Sequence, residues 1–150
     1  MGGLTPARLP SMDAFDLERF ARAQDPVYTN VLQELRQGDK RSHWMWFVFP
    51  QLRGLGSSEM AQRYAISGRD EARAFLAHTS LGARLLECTQ GMNALEGKFT
   101  FEILGSPDDQ NFHSSMTLFA AIAEDPAPFV AALEKYFGGR RDSRTLELLT

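Results

Sequence analysis

The sequence has almost no cysteine: Cys88 is the only one in 150 residues. A lone cysteine excludes a disulfide framework and any metal site built from several thiolates. It is typical of proteins kept in a reducing compartment, so we expect a cytoplasmic location. Because Cys88 falls on the apolar stripe of a predicted helix, we expect a buried, unreactive thiol.

Long apolar runs and a strong excess of either charge are also missing. The longest strongly apolar stretch, residues 44–49, is far too short to cross a bilayer, and residues 1–10 lack the apolar run of a signal peptide. Sixteen basic and nineteen acidic side chains leave a net charge of −3, which gives no overall attraction to nucleic acid or to anionic lipid. Neither nucleic acid nor a membrane is therefore an expected partner.

Histidine is scarce, and its spacing excludes the common zinc motifs. The three histidines are not arranged as ligands on one helix, and no His-Glu-x-x-His sequence occurs. We expect no bound metal and no cofactor. His113 lies four residues after Asp109, one turn along a predicted helix, so a carboxylate–imidazole pair is geometrically reachable. Such exposed pairs imply little, and a structural role is favoured over catalysis.

Helix start and stop signals recur along the chain. Asp25-Pro26 provides an N-cap and a first-turn proline, apolar residues follow at helical spacing, and Gly38 stands just past the end. The same signals predict helices over about residues 80–95, 106–123 and 125–137. Shorter helices are predicted at residues 16–23, 58–66, 69–77, 101–104 and 142–149.

No segment shows the alternation of a surface strand bounded by hairpin turns. Residues 44–49 suit either a buried strand or a short buried helix before Pro50, and the helix is favoured because no partner strand is visible. The sequence therefore predicts an all-α fold, a compact multihelical single domain with about seven to nine helices. We expect residues 1–13 to be a flexible leader and residues 14–150 to form this domain.

The densest unusual chemistry lies in residues 40–58, which hold both tryptophans, one histidine, three cations and a Gly-x-Gly-Ser-Ser turn. Gly54 and Gly56 let the backbone approach a ligand closely. The amides of the helix predicted to begin at Ser58, with the Ser57 and Ser58 hydroxyls, would then face an anion such as phosphate. The stretch thus suggests a site for a small anionic, phosphate- or nucleotide-like ligand.

Several of the candidate residues have a defined role in this hypothesis. Cations supply counter-charge, the indoles offer flat faces to a base or sugar, and His43 is the candidate catalytic base. Whether the chain is an enzyme stays open. The predicted ligand-binding residues are Lys40, Ser42, Trp44, Trp46, Gln51, Arg53, Gly54, Gly56, Ser57 and Tyr64.

A structural interpretation of residues 40–58 competes with this one and is favoured for the stretch as a whole. Apolar runs form cores far more often than ligand platforms, serines cap helices, and a Gly-x-Gly turn without a following Gly or Lys matches no nucleotide-binding motif. A third possibility is a protein-interaction module that presents Trp44 or Trp46 on an aromatic surface. The oligomeric state is not predicted.

Several stretches together resemble a known family. They are residues 15–28 and 40–52, Gly105-Ser106-Pro107-Asp108-Asp109 and Ser114-Ser115-Met116-Thr117-Leu118-Phe119. They resemble the bacterial domain-of-unknown-function family numbered 1810, sometimes labelled calpastatin-like. The resemblance implies a compact multihelical domain and no established reaction, and the label suggests a protease inhibitor. The chain departs from the family pattern near residues 110–113, which weakens any role for His113.

Overall fold

The computed structural model describes residues 13–150, and this part of the chain folds into ten α-helices. Most of the predicted leader, residues 1–12, lies outside the described residues. The helices are α1 (Glu18–Gln24), α2 (Tyr28–Gln37), α3 (Met45–Val48), α4 (Glu59–Arg63), α5 (Arg69–Ala77), α6 (Thr79–Ala94), α7 (Thr100–Leu104), α8 (Asp108–Ile122), α9 (Ala127–Phe137) and α10 (Ser143–Leu149).

The all-α class predicted from the sequence is confirmed, with ten helices in the described residues where about seven to nine were expected. The doubtful apolar segment is helical, but α3 has only four residues before the chain turns at Phe49 and Pro50. A single isolated parallel bridge joins Leu52 to Ile66 within residues 13–150. It ties the segment after α3 to the segment before α5.

The helix ends follow the predicted signals in most places. Gly38 and Gly138 end α2 and α9 with φ of 67° and 63°, the left-handed conformation that glycine adopts at little cost. His78 lies between α5 and α6, and its Nδ1 accepts hydrogen bonds from the amides of Ser80 and Leu81. The imidazole thus caps the start of α6.

The predicted start of α2 is two residues too early. Helix α2 begins at Tyr28, and Asp25 does not cap it. The Asp25 carboxylate instead lies 2.8 Å from Nη1 of Arg84 on α6. Asp25 therefore forms an ion pair with a distant helix and not the expected local cap. Local sequence signals do not specify such a long-range contact.

Helix α8 is the centre of the fold and packs against α3, α5, α7, α9 and α10. Every residue from 114 to 120 is buried, as expected for a helix surrounded by others. Phe112 meets Phe49 edge to face with ring centroids 5.0 Å apart, and Phe119 lies 5.6 Å from Phe75. Each buried aromatic ring contributes about 1.5–3 kcal/mol by leaving water, so α8 anchors the core.

The last helix is fixed to α8 through Asp142. The Asp142 amide donates to Oγ1 of Thr117 at 2.9 Å. Its carboxylate caps α10 by accepting from the amide of Thr145 at 3.0 Å and from the hydroxyl of Thr145 at 2.6 Å. These bonds set the direction of α10, which runs back toward the turn at Gly54.

The corner between α5 and α6 generates a stability prediction. A Cβ added at Gly82 would lie 2.1 Å from the carbonyl oxygen of Leu76, a backbone atom that cannot move aside cheaply. We expect Gly82→Ala to lower the free energy of unfolding by about 2 kcal/mol or more through overpacking.

Gly91 in the same helix is the matched control. The nearest heavy atom to an added Cβ there is Cβ of Leu35 at 3.9 Å. Gly91→Ala is expected to raise the free energy of unfolding by about 0.5–1 kcal/mol, because alanine loses less backbone entropy than glycine in a helix. Urea denaturation measures both, and equal effects of the two variants would contradict the close approach at Gly82.

Candidate functional site

The predicted site begins around a buried carboxylate that the sequence analysis did not single out. Glu34 on α2 is 7% exposed. Its Oε1 accepts from the amides of Arg41 (2.8 Å) and Ser42 (3.1 Å) and from Nε1 of Trp44 (2.9 Å). Its Oε2 accepts from the hydroxyl of Ser42 (2.5 Å) and from Nδ2 of Asn30 (3.2 Å). The segment from Arg41 to Trp44 is therefore folded around one carboxylate.

This arrangement keeps Glu34 ionised far into the acidic range. Burial on its own would raise the pKa of the Glu34 carboxyl. The hydrogen bonds from the Ser42 hydroxyl, the Arg41 amide, the Trp44 indole and the Ser42 amide outweigh burial and hold the pKa at about 2. The network is charge-assisted and satisfied, so it acts as a rigid structural element.

Lys40, predicted as a ligand-binding cation, is occupied within the fold. Its Nζ lies 2.7 Å from Oδ2 of Asp108 and donates to the carbonyl of Ser42 at 2.6 Å, and its side chain is 7% exposed. Its amide donates to the carbonyl of Ile103 at 2.8 Å. Lys40 therefore joins residues 40–42 to α7 and α8 and is not available as a surface counter-charge.

The indole of Trp44 is also internal. It is 1% exposed, its Nε1 is bonded to Glu34, and its ring lies 6.3 Å from the ring of Phe49. The expectation that Trp44 offers a flat face to a ligand is wrong, because packing covers the ring. Trp46 is half-buried, while His43 is exposed and its ring makes no hydrogen bond within residues 13–150.

The glycine turn is closed tightly, in line with the structural interpretation. Gly54 has φ of 102°, and a Cβ added at Gly56 would lie 2.7 Å from Cβ of Ala61. The Ser58 hydroxyl accepts from the amide of Ala61 at 3.1 Å and so caps α4, a helix of only five residues. One of the amides that were predicted to be free at this helix start, that of Ala61, is therefore already satisfied by the cap.

Helix α10 contacts the turn, a contact that the sequence analysis missed. Nη2 of Arg144 lies 3.4 Å from the carbonyl oxygen of Gly54, and an added Cβ at Gly54 would lie 3.6 Å from Leu148. The fold thus brings the arginine-rich segment at residues 140–144 to the turn that carries Arg53. No local pattern marked this meeting, because about ninety residues separate the two segments.

The arginines of these two segments have no acidic partners. Arg53, Arg140, Arg141 and Arg144 are exposed, and none forms an ion pair with a carboxylate of residues 13–150. Residues 1–12 contain no aspartate or glutamate. We call the four arginines the basic edge.

The remaining candidates are mostly structural. Tyr64 is half-buried, and its ring lies 5.7 Å from Phe20 and 5.4 Å from Phe47. His113 does not pair with Asp109: its ring stacks on Phe137 with centroids 4.0 Å apart, and its Nε2 lies 2.8 Å from the carbonyl of Arg140. The possible carboxylate–imidazole pair is therefore not formed, because the imidazole has a closer partner on the segment before α10.

Two cavities lie away from the predicted site, one of about 470 Å³ and one of about 270 Å³, and no residue from 40 to 58 lines either of them. The larger lies between the start of α5 and the end of α10, and the smaller between α2 and α6. Among residues 13–150, no group of three or more His, Cys, Asp and Glu side chains is arranged to hold a metal ion. None of the described helices has both the length and the apolar character needed to cross a bilayer.

Comparison with known proteins supports the fold and leaves the chemistry open. The family model described as "Protein of unknown function (DUF1810)" matches residues 14–149. The chain is similar to the crystal structure of the conserved hypothetical protein Rv1873 from Mycobacterium tuberculosis, at 58% sequence identity and a TM-score of 0.90. The match covers 91% of this chain and 98% of that one. None of the curated proteins matches the chain significantly.

The Glu34 network generates a stability prediction with a defined pH dependence. A fall of the pKa from 4.5 to about 2 favours the folded state by about 3 kcal/mol above pH 4.5. We expect Glu34→Gln to lower the free energy of unfolding at pH 7 by about that amount, because the amide is uncharged and turns an N–H group toward other donors.

The pH series separates this effect from simple loss of packing. Because the folded pKa of Glu34 is depressed, its contribution is complete above pH 4.5 and is lost as the pH falls toward about 2. The difference between wild type and Glu34→Gln in urea denaturation should therefore shrink over that interval. The control is Glu134→Gln on the exposed surface of α9, expected within about 0.5 kcal/mol of wild type. A difference that does not change with pH would contradict the network.

Proposed function

The chain belongs to the DUF1810 family of proteins of unknown function, and we propose that it binds a small anionic, phosphate- or nucleotide-like ligand where the Gly54 turn meets α10. The observation that carries the proposal is the position of Arg144, whose guanidinium lies 3.4 Å from the Gly54 carbonyl beside the exposed Arg53. Two cations from distant parts of the chain are thereby held at one turn.

The chemistry of arginine supports phosphate as the ligand group. A guanidinium is always charged, and its planar fork of donors matches phosphate oxygens in a bidentate way. Neither Arg53 nor Arg144 is neutralised by an acid within residues 13–150, so both charges are available to an anion. Because the basic edge is exposed, its attraction for an anion should weaken as salt is added.

The predicted site residues other than Tyr64 divide into three groups under this proposal. Lys40, Ser42 and Trp44 serve the scaffold around Glu34. The exposed or half-buried Gln51, Arg53, Gly54, Gly56 and Ser57 lie on or beside the turn and would contact the ligand. His43 and Trp46 lie on the separate α3 segment, and they join the site only for a ligand that extends beyond its phosphate group. His43 is then the candidate acid–base group.

We also propose that the protein is located in the cytoplasm. Cys88 is fully buried, and burial raises the pKa of its thiol to about 12. A protonated, enclosed thiol has no role in disulfide exchange. A chain whose one cysteine is kept reduced in this way fits a reducing compartment.

Titration with inorganic phosphate, AMP and ADP tests the proposal. The wild type should bind at least one of these probes with an affinity that falls as salt rises. Replacement of Arg53 and Arg144 by glutamine should weaken binding by roughly a hundredfold, because each charged hydrogen bond contributes about 1.5 kcal/mol or more. Calorimetry measures the affinity.

The matched control removes two arginines elsewhere. Arg36 and Arg63 are exposed and form no ion pair with a carboxylate of residues 13–150. The Arg36→Gln, Arg63→Gln double variant has the same net charge as the site variant and should bind within about threefold of wild type. Equal losses in both double variants would show that only the overall charge matters, and no binding of any probe to the wild type would refute the proposal.

A second candidate function, a protein-interaction module, is favoured by a different observation. The aromatic surface is not formed by Trp44, which is buried, but by Phe99 and Phe101 at the start of α7. These rings are 78% and 62% exposed, whereas Thr100 between them is buried. Phenylalanine is enriched at protein interfaces, and contiguous exposed apolar surface is typical of contact sites.

Replacement of both phenylalanines tests this second candidate. Phe99→Ser with Phe101→Ser should shift Tm by less than about 5 °C, because the exposed rings contribute little to the core. Chemical cross-linking in cells should give an adduct of defined mass for the wild type that is lost in this variant. Leu86→Ser, which replaces an exposed leucine on α6, should retain the adduct. An adduct present in all three proteins would exclude the phenylalanine surface.

A further inference from the structure

We propose that the cavity between α5 and the end of α10 is a second binding site, for a small organic anion with a carboxylate or phosphate group on an apolar body. Its volume of about 470 Å³ is within the range of small-molecule sites. Its walls combine cations with apolar side chains, chiefly Arg69, Arg73, Phe15, Leu148 and Leu149. No residue of the basic edge lines it.

The charges in the cavity leave one cation without an acidic partner. Glu71 is 2% exposed, and its carboxylate accepts from Nη2 of Arg19 (2.9 Å) and from the amide (2.9 Å) and hydroxyl (2.8 Å) of Ser67. Asp70 lies 3.0 Å from Nη1 of Arg73. Both acids are thus compensated.

Arg69 is the remaining charged side chain in the lining of the cavity. Its Nε donates to the carbonyl of Leu149 at 3.3 Å, and it forms no ion pair with a carboxylate of residues 13–150. The two Nη groups of its guanidinium therefore remain for a ligand oxygen. Arg69 is exposed, so its attraction for an anion should weaken as salt is added.

The apolar part of the cavity accounts for the body of the ligand. Leu148, on α10, is 46% exposed, and Phe15 and Leu149 are half-buried. Covering such side chains removes apolar surface from water, which favours binding by about 25 cal/mol per Å² of surface covered. A purely polar anion such as sulfate would leave this contribution unused.

The walls are held in place before any ligand arrives. Nη1 of Arg19 donates to the carbonyls of Phe15 and Asp16, Nη2 to the carbonyl of Ala65 and to Glu71, and Nε to the carbonyl of Arg63. One side chain therefore ties the segment before α1 to the segment before α5. A site organised in this way loses little conformational entropy on binding.

Gly68 offers a direct way to fill the cavity. It lines the cavity, and an added Cβ has no heavy atom within 4 Å. Its φ of 166° is extended backbone that any residue adopts. A leucine at this position should therefore occupy ligand space without strain in the backbone.

The experiment titrates the full chain with phenylacetate and phenyl phosphate, and with 2-phenylethanol as a neutral analogue, by calorimetry and by amide chemical shifts. The wild type should bind at least one anionic probe saturably, with shifts at residues 67–71 and 148–150, and should bind the alcohol at least about tenfold more weakly. The preferred anion identifies the head group as carboxylate or phosphate.

Four variants decide whether the cavity is responsible. Gly68→Leu and Arg69→Gln should each weaken binding of the anionic probe by about tenfold or more, while the exposed control Arg36→Gln should stay within about twofold of wild type. The Arg53→Gln, Arg144→Gln variant should also bind normally, which separates this site from the basic edge. Circular dichroism and Tm establish that each variant is folded.

The proposal is overturned by any of three results. They are an absence of saturable binding of both anions up to about 10 mM, equal binding of the neutral alcohol, and unchanged affinity in a folded Gly68→Leu protein. If Gly68→Leu does not fold, Gly68→Ser, which is smaller and a better N-cap, replaces it and should weaken binding in the same direction.

Discussion

The conformation of the most unusual part of the sequence depends on one buried carboxylate. Glu34 collects five hydrogen bonds from residues 30 and 41–44, and without this acceptor the buried indole N–H of Trp44 would be unsatisfied. A neutral residue could not accept so many, and a charge without these donors could not be buried. The burial of the Glu34 carboxylate and the conformation of residues 41–44 therefore depend on each other. The hydrogen bond that satisfies the Trp44 indole N–H also holds the ring in the interior.

This constraint explains why Lys40 and Trp44 are not on the surface. Lys40 follows the segment inward, and the carboxylate of Asp108 at the start of α8 is the only charge it reaches within the described residues. The buried pair costs desolvation and is retained because removal of either partner would leave an uncompensated charge. Cations that are free to meet a ligand are found elsewhere, on the segments that α10 brings together at the Gly54 turn and at the start of α5.

The sequence predicted the helices well, because their start and stop signals are local. Residues 69–77 were predicted with the observed bounds, and Gly38 and Gly138 end their helices as expected. The pairing of distant segments was not predictable in the same way. Glu34 does fall three residues after Val31 on the apolar stripe of α2, which signals a buried acid in need of donors, but nothing local indicates that residues 41–44 supply them.

The hydrogen bonds that side chains already make within the protein limit where a ligand can bind. A side chain that already has all its hydrogen bonds, such as the carboxylate of Glu34, can bind a ligand only by giving up protein contacts, and the exchange gains little. Arg53, Arg69 and Arg144 are in the opposite condition: their charges are uncompensated, and a ligand oxygen adds a bond without breaking an ion pair. Under both proposals, folding and ligand binding depend on different residues, because satisfied polar groups stabilise the protein while those with spare donors can recognise a ligand.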